Sequence, residues 1–296
     1  MKRVTELIAK GFTISVELVP PRNGIPLNSV LEQFKEIKQG VDFVSVTMGA
    51  SGSLRGGTFP LSYFIQARFG IPVVTHFVCR EHTRYQIENM LMDLHHFGIR
   101  NILALRGDPP AGQKDSGWSG DYPRAYMLVE QIQRMNQGIY LPRIGFEEKP
   151  REGLKTEFCI LVAGHPEYPL DKEISNMRLK QDSGAMAAIT QMAFSPADYR
   201  AYIKAIRAAN ISIPIIAGVR PLKSLNQGLS CESFFKIKLP QKLKEGFKKA
   251  RDEYKFGLDY TAKLIKEIKS CGYAGVHLFC LNDFKLVKDL IVRINI

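Results

Sequence analysis

The sequence predicts a TIM barrel, a (β/α)8 fold of the α/β class, that forms a single domain over residues 1–296. Two observations predict this fold: eight short runs of β-branched or apolar residues recur along the chain, and helical patterns fill the intervals between them. The first four runs begin roughly 30 residues apart, which is the length of one βα unit. Strands that alternate with helices indicate a parallel sheet, and eight such units favour closure into a barrel, which typically takes about 250 residues.

The eight runs are nearly continuous in hydrophobicity, as parallel strands covered on both faces are. The turn after the first run reads PPRNG at 20–24 and lacks the GxGxxG pattern of a doubly wound dinucleotide-binding fold. In chain order, the predicted strands are Thr13–Leu18, Phe43–Thr47, Val73–Val78, Ile102–Leu105, Cys159–Ala163, Ala188–Gln191, Ile213–Ala217 and Val276–Cys280.

Helix signals separate the runs. Apolar residues between positions 27 and 37 follow the spacing of one helix face. Thr83 is placed to cap a helix that Gly98 ends, and Ser195 followed by Pro196 is a strong start signal for another helix.

Two connections between runs are long, and long connections often serve the active site. Residues 109–157 are predicted to hold a polar loop, a helix near 125–135 and then a polar connector. Residues 218–275 are predicted to hold one or two helices between positions 240 and 270.

The formal net charge of +12 is compatible with a nucleic-acid binder, a membrane-surface protein or an enzyme for anionic ligands. The lysines are densest between Lys236 and Lys269, where acidic residues are interspersed at helical spacing, so an exposed helix face is the favoured interpretation. Basic loops studded with aromatic residues are absent from the sequence, and we expect no nucleic-acid partner.

The five cysteines are widely spaced and form no CxxC pair, which favours a reducing compartment over a disulfide framework or a structural zinc site. The N-terminal residues MKRVTELIAKGF lack the apolar run of a signal peptide, and no stretch of roughly 18 apolar residues occurs. We therefore expect a cytoplasmic protein without a membrane-spanning helix. The sequence contains no HExxH or carboxylate-rich metal motif, so no metal is expected either.

Polar residues stand at the predicted strand ends. In a barrel of this type, residues at the C-terminal ends of the strands face the mouth, where catalysis takes place. The strand-end residues are Glu17, Thr47, His76, Arg106-Gly107-Asp108, Gly164-His165, Gln191 and, after the eighth strand, Asn282-Asp283.

Each strand-end residue also has a purely structural interpretation. His76 alone is most simply a hydrogen-bonded core histidine, Arg106 and Asp108 would form a salt bridge at the rim, and Gln191 would cap a loop. Glu17 lies inside an apolar run, where a carboxylate is costly to bury unless it is paired or protonated. Desolvation raises the pKa of a carboxyl toward the range of a general acid, so Glu17 is predicted to be functional. The strand-end residues include acids and amides but no nucleophile or metal site, so we expect an organic cofactor to carry out the redox or group-transfer step.

The sequence resembles the bacterial-type methylenetetrahydrofolate reductases, which are flavin enzymes built on a (β/α)8 barrel. The resemblance follows the strands in order over nearly the whole chain, and NILALRGDPP and AITQ are its most specific parts. The matching stretches are SVELVPPRNG, FVSVTMGASGS, VVTHFVC, NILALRGDPP, AGHPEYP, AITQMAF, IPIIAGVRPLKSLNQ and GVHLFCLN.

The resemblance implies a role for each matching residue. Glu17 would be the general acid that helps open the five-membered ring of the methylene-folate, and Asp108 would be the carboxylate beside the flavin and the pterin. Gln191 and Gln227 would contact the folate or the nicotinamide. The residues at flavin-contacting positions are Thr47, His76, Arg106, Gly107, Asp108, Ala125, His165, Tyr168, Asn176 and Lys180.

The implied activity is the reduction of 5,10-methylenetetrahydrofolate to 5-methyltetrahydrofolate, a step of one-carbon metabolism that feeds methionine synthesis. NADH or NADPH would reduce bound FAD, and the reduced FAD would then reduce the folate. The alternative is a barrel methyltransferase that moves a methyl group between tetrahydrofolate and a corrinoid-type carrier. We expect a homo-oligomer, and the sequence leaves open an electron-donating partner subunit.

One helix face after the fifth strand has two interpretations. Glu173, Asn176 and Lys180 fall at i, i+3 and i+7 and therefore share a face. This face would meet the phosphates and ribose of the flavin, or it would simply face solvent.

The sequence departs from the family pattern at ligand-contacting positions. His165 and Tyr168 stand where the family has tyrosine and histidine in the opposite order. The other departures are Met48 for a tyrosine, Glu173 for an aspartate, Leu179 for an arginine, Cys231 for a stacking phenylalanine and Asp283 for a basic residue. We expect the contacts with the FAD phosphates, the electron donor and the folate tail to differ from those of the family.

Overall fold

The computed structural model describes residues 2–49, 55–109, 118–146 and 148–294. Eight strands form a closed barrel, and each strand runs parallel to both of its neighbours. The strands follow chain order around the barrel, and the eighth closes it by pairing with the first, where Val16 lies opposite Leu278. The predicted TIM-barrel fold is therefore confirmed.

Each barrel strand overlaps the run of apolar residues that predicted it. The strands coincide with these runs because parallel strands that are covered on both faces need β-branched and apolar side chains along their whole length. The barrel strands are Thr13–Leu18, Phe43–Val46, Val73–Val78, Asn101–Leu105, Cys159–Gly164, Ala187–Met192, Ile215–Val219 and Gly275–Leu278.

Helix boundaries follow the capping signals in the sequence. The Thr83 hydroxyl accepts a hydrogen bond from the Gln86 backbone N–H, and the Gln86 side chain accepts one from the Thr83 N–H, which is a reciprocal cap. Ser195 caps the helix that begins at Pro196. None of the helices in the described part of the chain is long and apolar enough to cross a membrane. The helices are Val4–Ile8, Asn28–Phe34, Thr58–Phe69, Arg84–His96, Ala125–Asn136, Leu170–Asp182, Pro196–Ala208, Leu225–Phe235, Gln241–Lys249, Glu253–Ser270 and Phe284–Ile294, with a 3-10 turn at Lys38–Gly40.

The connection after the fourth strand contains a hairpin that the sequence did not predict. Ile139–Tyr140 pairs antiparallel with Arg151–Glu152, in a segment predicted to be a polar connector. The buried Glu88 carboxylate holds the hairpin against the preceding helix, because it accepts hydrogen bonds from the Leu141 N–H at 2.7 Å and the Arg151 guanidinium at 2.9 Å. Strands this short leave no alternation to detect.

The barrel interior changes from apolar to polar along its axis. At the N-terminal end, the helix Val4–Ile8 covers the barrel, and the buried Val4 N–H donates a hydrogen bond to Asn101 Oδ1 at 2.8 Å. Because this end is covered, the barrel opens at the C-terminal ends of its strands. The apolar layer inside the covered end includes Phe43, Val74, Leu103, Leu161, Ile189 and Ile216, and the polar layer beyond it is formed by Ser15, Ser45, His76 and His277.

Candidate active site

A cavity of about 1180 Å³ lies at the C-terminal ends of the barrel strands. All the residues to which the family resemblance assigned a role line it, although they come from seven of the eight βα units. They are Glu17, Thr47, His76, Arg106, Gly107, Asp108, Ala125, His165, Tyr168, Asn176, Lys180, Gln191 and Gln227. The closed barrel therefore brings together residues that are up to 210 positions apart, between Glu17 and Gln227.

Glu17 is the inward-facing carboxyl near the end of the first strand. Its surroundings desolvate it, and this burial raises its pKa to about 7, against a smaller lowering by the charge of Arg220. Neither a backbone N–H nor a side chain of the described residues stabilises the ionised form by a hydrogen bond. Glu17 is therefore protonated in a large fraction of molecules near neutral pH, as a general acid must be.

Two buried histidines lie beneath Glu17 in the polar layer of the barrel. Ser45 Oγ is 3.0 Å from the Nε2 atoms of both His76 and His277, and Ser15 Oγ is 2.8 Å from His277 Nδ1. Burial lowers the pKa of both imidazoles to about 3, so both are neutral at pH 7. His76 is thus the hydrogen-bonded core histidine of the simpler interpretation, and it lines the cavity as well.

The segment after the fourth strand approaches the cavity with its backbone. Gly107 has a φ of +95°, and a Cβ atom built there would lie 2.3 Å from Val78 Cγ1, so the position requires glycine. Arg106 donates a hydrogen bond to the Pro123 carbonyl at 3.1 Å and stacks over the Trp118 ring at 4.8 Å from its centroid. Asp108 is exposed at the rim.

The helix face after the fifth strand is turned toward the barrel. Glu173 is fully buried and accepts hydrogen bonds from the His165 N–H at 2.8 Å and the Tyr202 hydroxyl at 2.9 Å. Lys180 is 8% exposed, and its Nζ atom donates a hydrogen bond to the Ala163 carbonyl at 2.7 Å. The interpretation of this face as solvent-exposed is therefore wrong, because the helix packs over the strand end with these side chains inward.

The exchanged His165 and Tyr168 form a stacked pair at the cavity rim. Their ring centroids lie 4.6 Å apart with an interplanar angle of 10°. His165 Nδ1 lies 3.0 Å from Glu167 Oε1, and the Lys172 ammonium lies over the Tyr168 ring at 5.3 Å. The exchange thus preserves an aromatic surface at this rim.

Two glutamine amides reach the cavity from the sixth strand and from the helix after the seventh. Gln191 Oε1 accepts a hydrogen bond from the Met192 N–H at 2.9 Å. Gln227 Oε1 accepts one from the Lys223 N–H at 2.7 Å, at the start of its helix. In each case the oxygen is held by the local backbone, which fixes the orientation of the amide.

The remaining departures from the family pattern divide into two groups. Met48 and Cys231 line the cavity, whereas Leu179 is 47% exposed and lies outside it. Asp283 also lies outside, where it pairs with Lys223 at 2.6 Å and caps the last helix by accepting from Leu286 N–H.

Asn282 is likewise a structural residue, since it exchanges hydrogen bonds with the Val19 backbone at 2.7 and 2.9 Å. Asn282 therefore joins the segments that follow the first and eighth strands, while Asp283 is occupied by Lys223 and by the cap of the last helix.

Sequence reasoning missed several residues of the cavity. Arg220 lines the cavity directly after the seventh strand, but this strand was predicted to end at Ala217, so Arg220 did not stand at a predicted strand end. Phe234 and Phe235 stand one helical turn beyond Cys231, on a helix that the sequence did not predict, and they also line the cavity.

The lining of the cavity is predominantly cationic among the described residues, which suits an anionic ligand. No group of three or more potential metal ligands occurs in the described part of the chain. The charged lining residues are the cations Arg55, Arg80, Arg106, Arg124, Lys172, Lys180 and Arg220 and the carboxylates Glu17, Glu81 and Asp108.

Comparison with known proteins agrees with this geometry. The sequence model described as methylenetetrahydrofolate reductase matches residues 2–295 of the chain. The chain belongs to the methylenetetrahydrofolate reductase family. The resemblance on which the site residues were assigned is thereby confirmed at the level of the family.

Relatives of the chain come from eukaryotes and bacteria. Methylenetetrahydrofolate reductase 1 of Schizosaccharomyces pombe is 28% identical over 96% of this chain and 46% of its own length. Methylenetetrahydrofolate reductase (NADH) 1 of Arabidopsis thaliana is 26% identical over 100% of this chain and 50% of its own length. The 5,10-methylenetetrahydrofolate reductase of Escherichia coli is 26% identical over 92% of this chain and 86% of its own length. The chain spans about half the length of the eukaryotic relatives and most of the bacterial one.

Solved structures support the fold. A 2,3-dimethylmalate lyase of the PEP mutase/isocitrate lyase superfamily superposes with a TM-score of 0.53 over 94% of this chain and 81% of that chain, at 10% identity. At this identity the likeness shows the barrel fold alone.

Proposed function

We propose that the chain is a flavin-dependent reductase that converts 5,10-methylenetetrahydrofolate to 5-methyltetrahydrofolate with NADH or NADPH as electron donor. The observation that carries this proposal is Glu17, an inward-facing carboxyl with a pKa of about 7 in the cavity that also contains Asp108 and Gln191. Membership of the family supports the same reaction. Residues 1–296 would form one catalytic domain.

The residues of the cavity fit FAD. Its volume of about 1180 Å³ exceeds the roughly 300–1,000 Å³ common for small-molecule sites, which suits a dinucleotide beside a second planar ligand. Gly107 has no side chain to cover its backbone, so a ligand in the cavity can approach this backbone closely. When bound, FAD supplies hydride transfer between the nicotinamide and the folate.

The residues that would hold FAD come from the second, third, fourth and fifth strand ends and from the helices after the fourth and fifth strands. The Lys180 ammonium and the Arg106 guanidinium match the charge of a pyrophosphate. The stacked pair of His165 and Tyr168 offers an aromatic surface. The remaining residues proposed to contact FAD are Thr47, His76, Gly107, Asp108, Ala125 and Asn176.

Glu17 would act as the general acid on the folate. Its protonated carboxyl donates its proton to the nitrogen that is released when the five-membered ring opens to the iminium ion. The desolvation of Glu17 favours this step, because it stabilises the neutral acid until the substrate accepts the proton.

Asp108 would stabilise the cationic folate from the end of the fourth strand. Its carboxylate accepts hydrogen bonds and carries a charge opposite to that of the iminium ion. Gln191 and Gln227 would orient the folate or the nicotinamide, since the local backbone fixes each amide.

An absorbance spectrum of the purified protein tests this proposal. Protein reconstituted with FAD should show a flavin spectrum that NADH or NADPH bleaches and that methylenetetrahydrofolate restores under anaerobic conditions. The names of the plant relatives specify NADH, so NADH is the first donor to use. A protein that binds no FAD would contradict the proposal. Folate binding without nicotinamide oxidation would instead indicate the methyltransferase.

A further inference from the structure

Arg220 stands at the same level of the barrel as Glu17, on the other side of the eighth strand. Val219, Leu278 and Val16 are paired across the seventh, eighth and first strands. The next residues along these three strands are Arg220, Phe279 and Glu17, so Phe279 separates the cation from the carboxyl. Two strand spacings put the backbones of Arg220 and Glu17 about 10 Å apart, a distance that an arginine side chain can largely span.

The Arg220 guanidinium is fixed at this position. Its Nη1 atom donates a hydrogen bond to the Phe279 carbonyl at 2.5 Å, and the Phe279 N–H is in turn bonded to the Val219 carbonyl at 2.9 Å. Its Nε atom is buried and has no hydrogen-bond partner among the described residues, although the Arg220 side chain as a whole also interacts with the Cys231 thiol. A buried guanidinium N–H without an acceptor is costly, which argues that the cation is kept at this position for its charge.

We propose that Arg220 is a positioning residue that sets how readily Glu17 exchanges its proton. Without a nearby cation, a desolvated carboxyl at the position of Glu17 would hold its proton more tightly and donate it less readily. The opposite charge of Arg220 favours the ionised form, so the acid remains usable near neutral pH. The effect of Arg220 on catalysis rests on the proposed function, whereas its effect on the proton affinity of Glu17 does not.

The other titratable groups around Glu17 do not supply this charge. Burial keeps His76 and His277 neutral, with pKa values of about 3, and it raises the pKa of the Cys280 thiol to about 12. Among the described residues, Arg220 is the one whose charge acts on the pKa of Glu17. Cys280 lies near Glu17 without lining the cavity. The other titratable and charged groups that line the cavity with Glu17 are Arg55, His76, Arg80, Glu81, His82, Arg106, Asp108, Arg124, Tyr126, His165, Tyr168, Lys172, Lys180, Arg220, Cys231 and His277.

A pair of substitutions separates the charge of Arg220 from its hydrogen bond. Arg220→Lys and Arg220→Gln both keep an N–H donor for the Phe279 carbonyl, but only lysine keeps the charge. Arg124→Gln is the matched control, because Arg124 lines the same cavity but does not act on the pKa of Glu17. The titration of Glu17 is followed in the flavin-free protein by NMR of 13C-labelled glutamate carboxyls, with Glu17→Gln to assign the signal.

We expect Arg220→Gln to raise the midpoint of the Glu17 titration by about one pH unit, a tenfold change in proton affinity. Arg220→Lys and Arg124→Gln should leave the midpoint close to that of the wild type. In the flavin-loaded enzyme, the alkaline limb of folate reduction should move to higher pH in Arg220→Gln. The same midpoint in wild type and Arg220→Gln, or equal shifts in the Gln and Lys variants, would overturn the inference. A shift in a protein that binds no flavin would uphold it while contradicting the proposed function.

Discussion

Ser45 Oγ lies 3.0 Å from Nε2 of His277, in the middle of the barrel and directly beneath the candidate active site. The same hydroxyl lies 3.0 Å from His76 Nε2, so one serine joins the side chains of the third and eighth strands. A buried polar network is stable only when its members are satisfied. The floor of the cavity therefore depends on a hydroxyl that has no role in the proposed chemistry.

We expect Ser45→Ala to lower the free energy of unfolding by about 1–3 kcal/mol, because it leaves buried imidazole nitrogens without a partner. Urea denaturation measures the change. Ser175→Ala is the control, since the exposed Ser175 hydroxyl only bonds to the Asp171 carbonyl of its own helix. Equal stability of the two variants would show that the network does not support the barrel.

The pH dependence of stability should reflect three buried groups. His76 and His277 have pKa values of about 3 when folded, so between pH 3 and 6.5 the unfolded chain binds more protons and stability falls as pH falls. Glu17 acts in the opposite sense: its pKa of about 7 when folded lies above its ordinary value of 4.5, so its contribution is lost as pH rises through 7.

Two substitutions should separate these contributions between pH 5 and 6.5. His277→Gln should make the dependence of the free energy of unfolding on pH less steep, and Glu17→Gln should make it steeper. Urea denaturation at a series of pH values measures both slopes. If the free energy of unfolding depended on pH in the same way in the wild type and in both variants, the pKa values of these groups would not be shifted by burial.

Gly107→Ala should impair both folding and flavin binding. A Cβ atom at this position would overlap Val78, whereas Gly24 has a similar φ of +89° with nothing within 4 Å. Gly24→Ala therefore controls for the cost of the backbone conformation, about 1–2 kcal/mol. We expect Gly107→Ala to lose more stability and at least tenfold in FAD affinity, measured by fluorescence titration. If Gly107→Ala bound FAD as tightly as Gly24→Ala does, Gly107 would not be part of the FAD site.

Local signals in the sequence were sufficient to predict the barrel and the polar strand-end residues of the cavity, whereas Ala125, Tyr168 and Gln227 were assigned through the family resemblance. Strand runs and helix caps such as Thr83 depend on neighbouring residues, and the geometry of a barrel then places the strand ends together. Glu17 was identified because a carboxyl within an apolar run is costly without a function.

Arg220 was missed for a physical reason. The seventh strand was predicted at Ile213–Ala217, but pairing with the eighth strand, Ile216 opposite Gly275, places it at Ile215–Val219. Register depends on contacts with neighbouring strands, which a run of apolar residues cannot specify. The inward orientation of Lys180 was undetermined for the same reason, since it depends on how its helix packs.

The separate half-reactions of Glu17→Gln test the central claim most directly. In anaerobic stopped-flow measurements, NADH or NADPH should reduce the flavin of this variant at nearly the wild-type rate, because no proton from Glu17 is needed. Oxidation of the reduced flavin by methylenetetrahydrofolate should be abolished, because the folate ring then lacks its acid. An equal loss in both half-reactions, or folate reduction at the wild-type rate, would contradict the assignment of Glu17 as the general acid of this cavity.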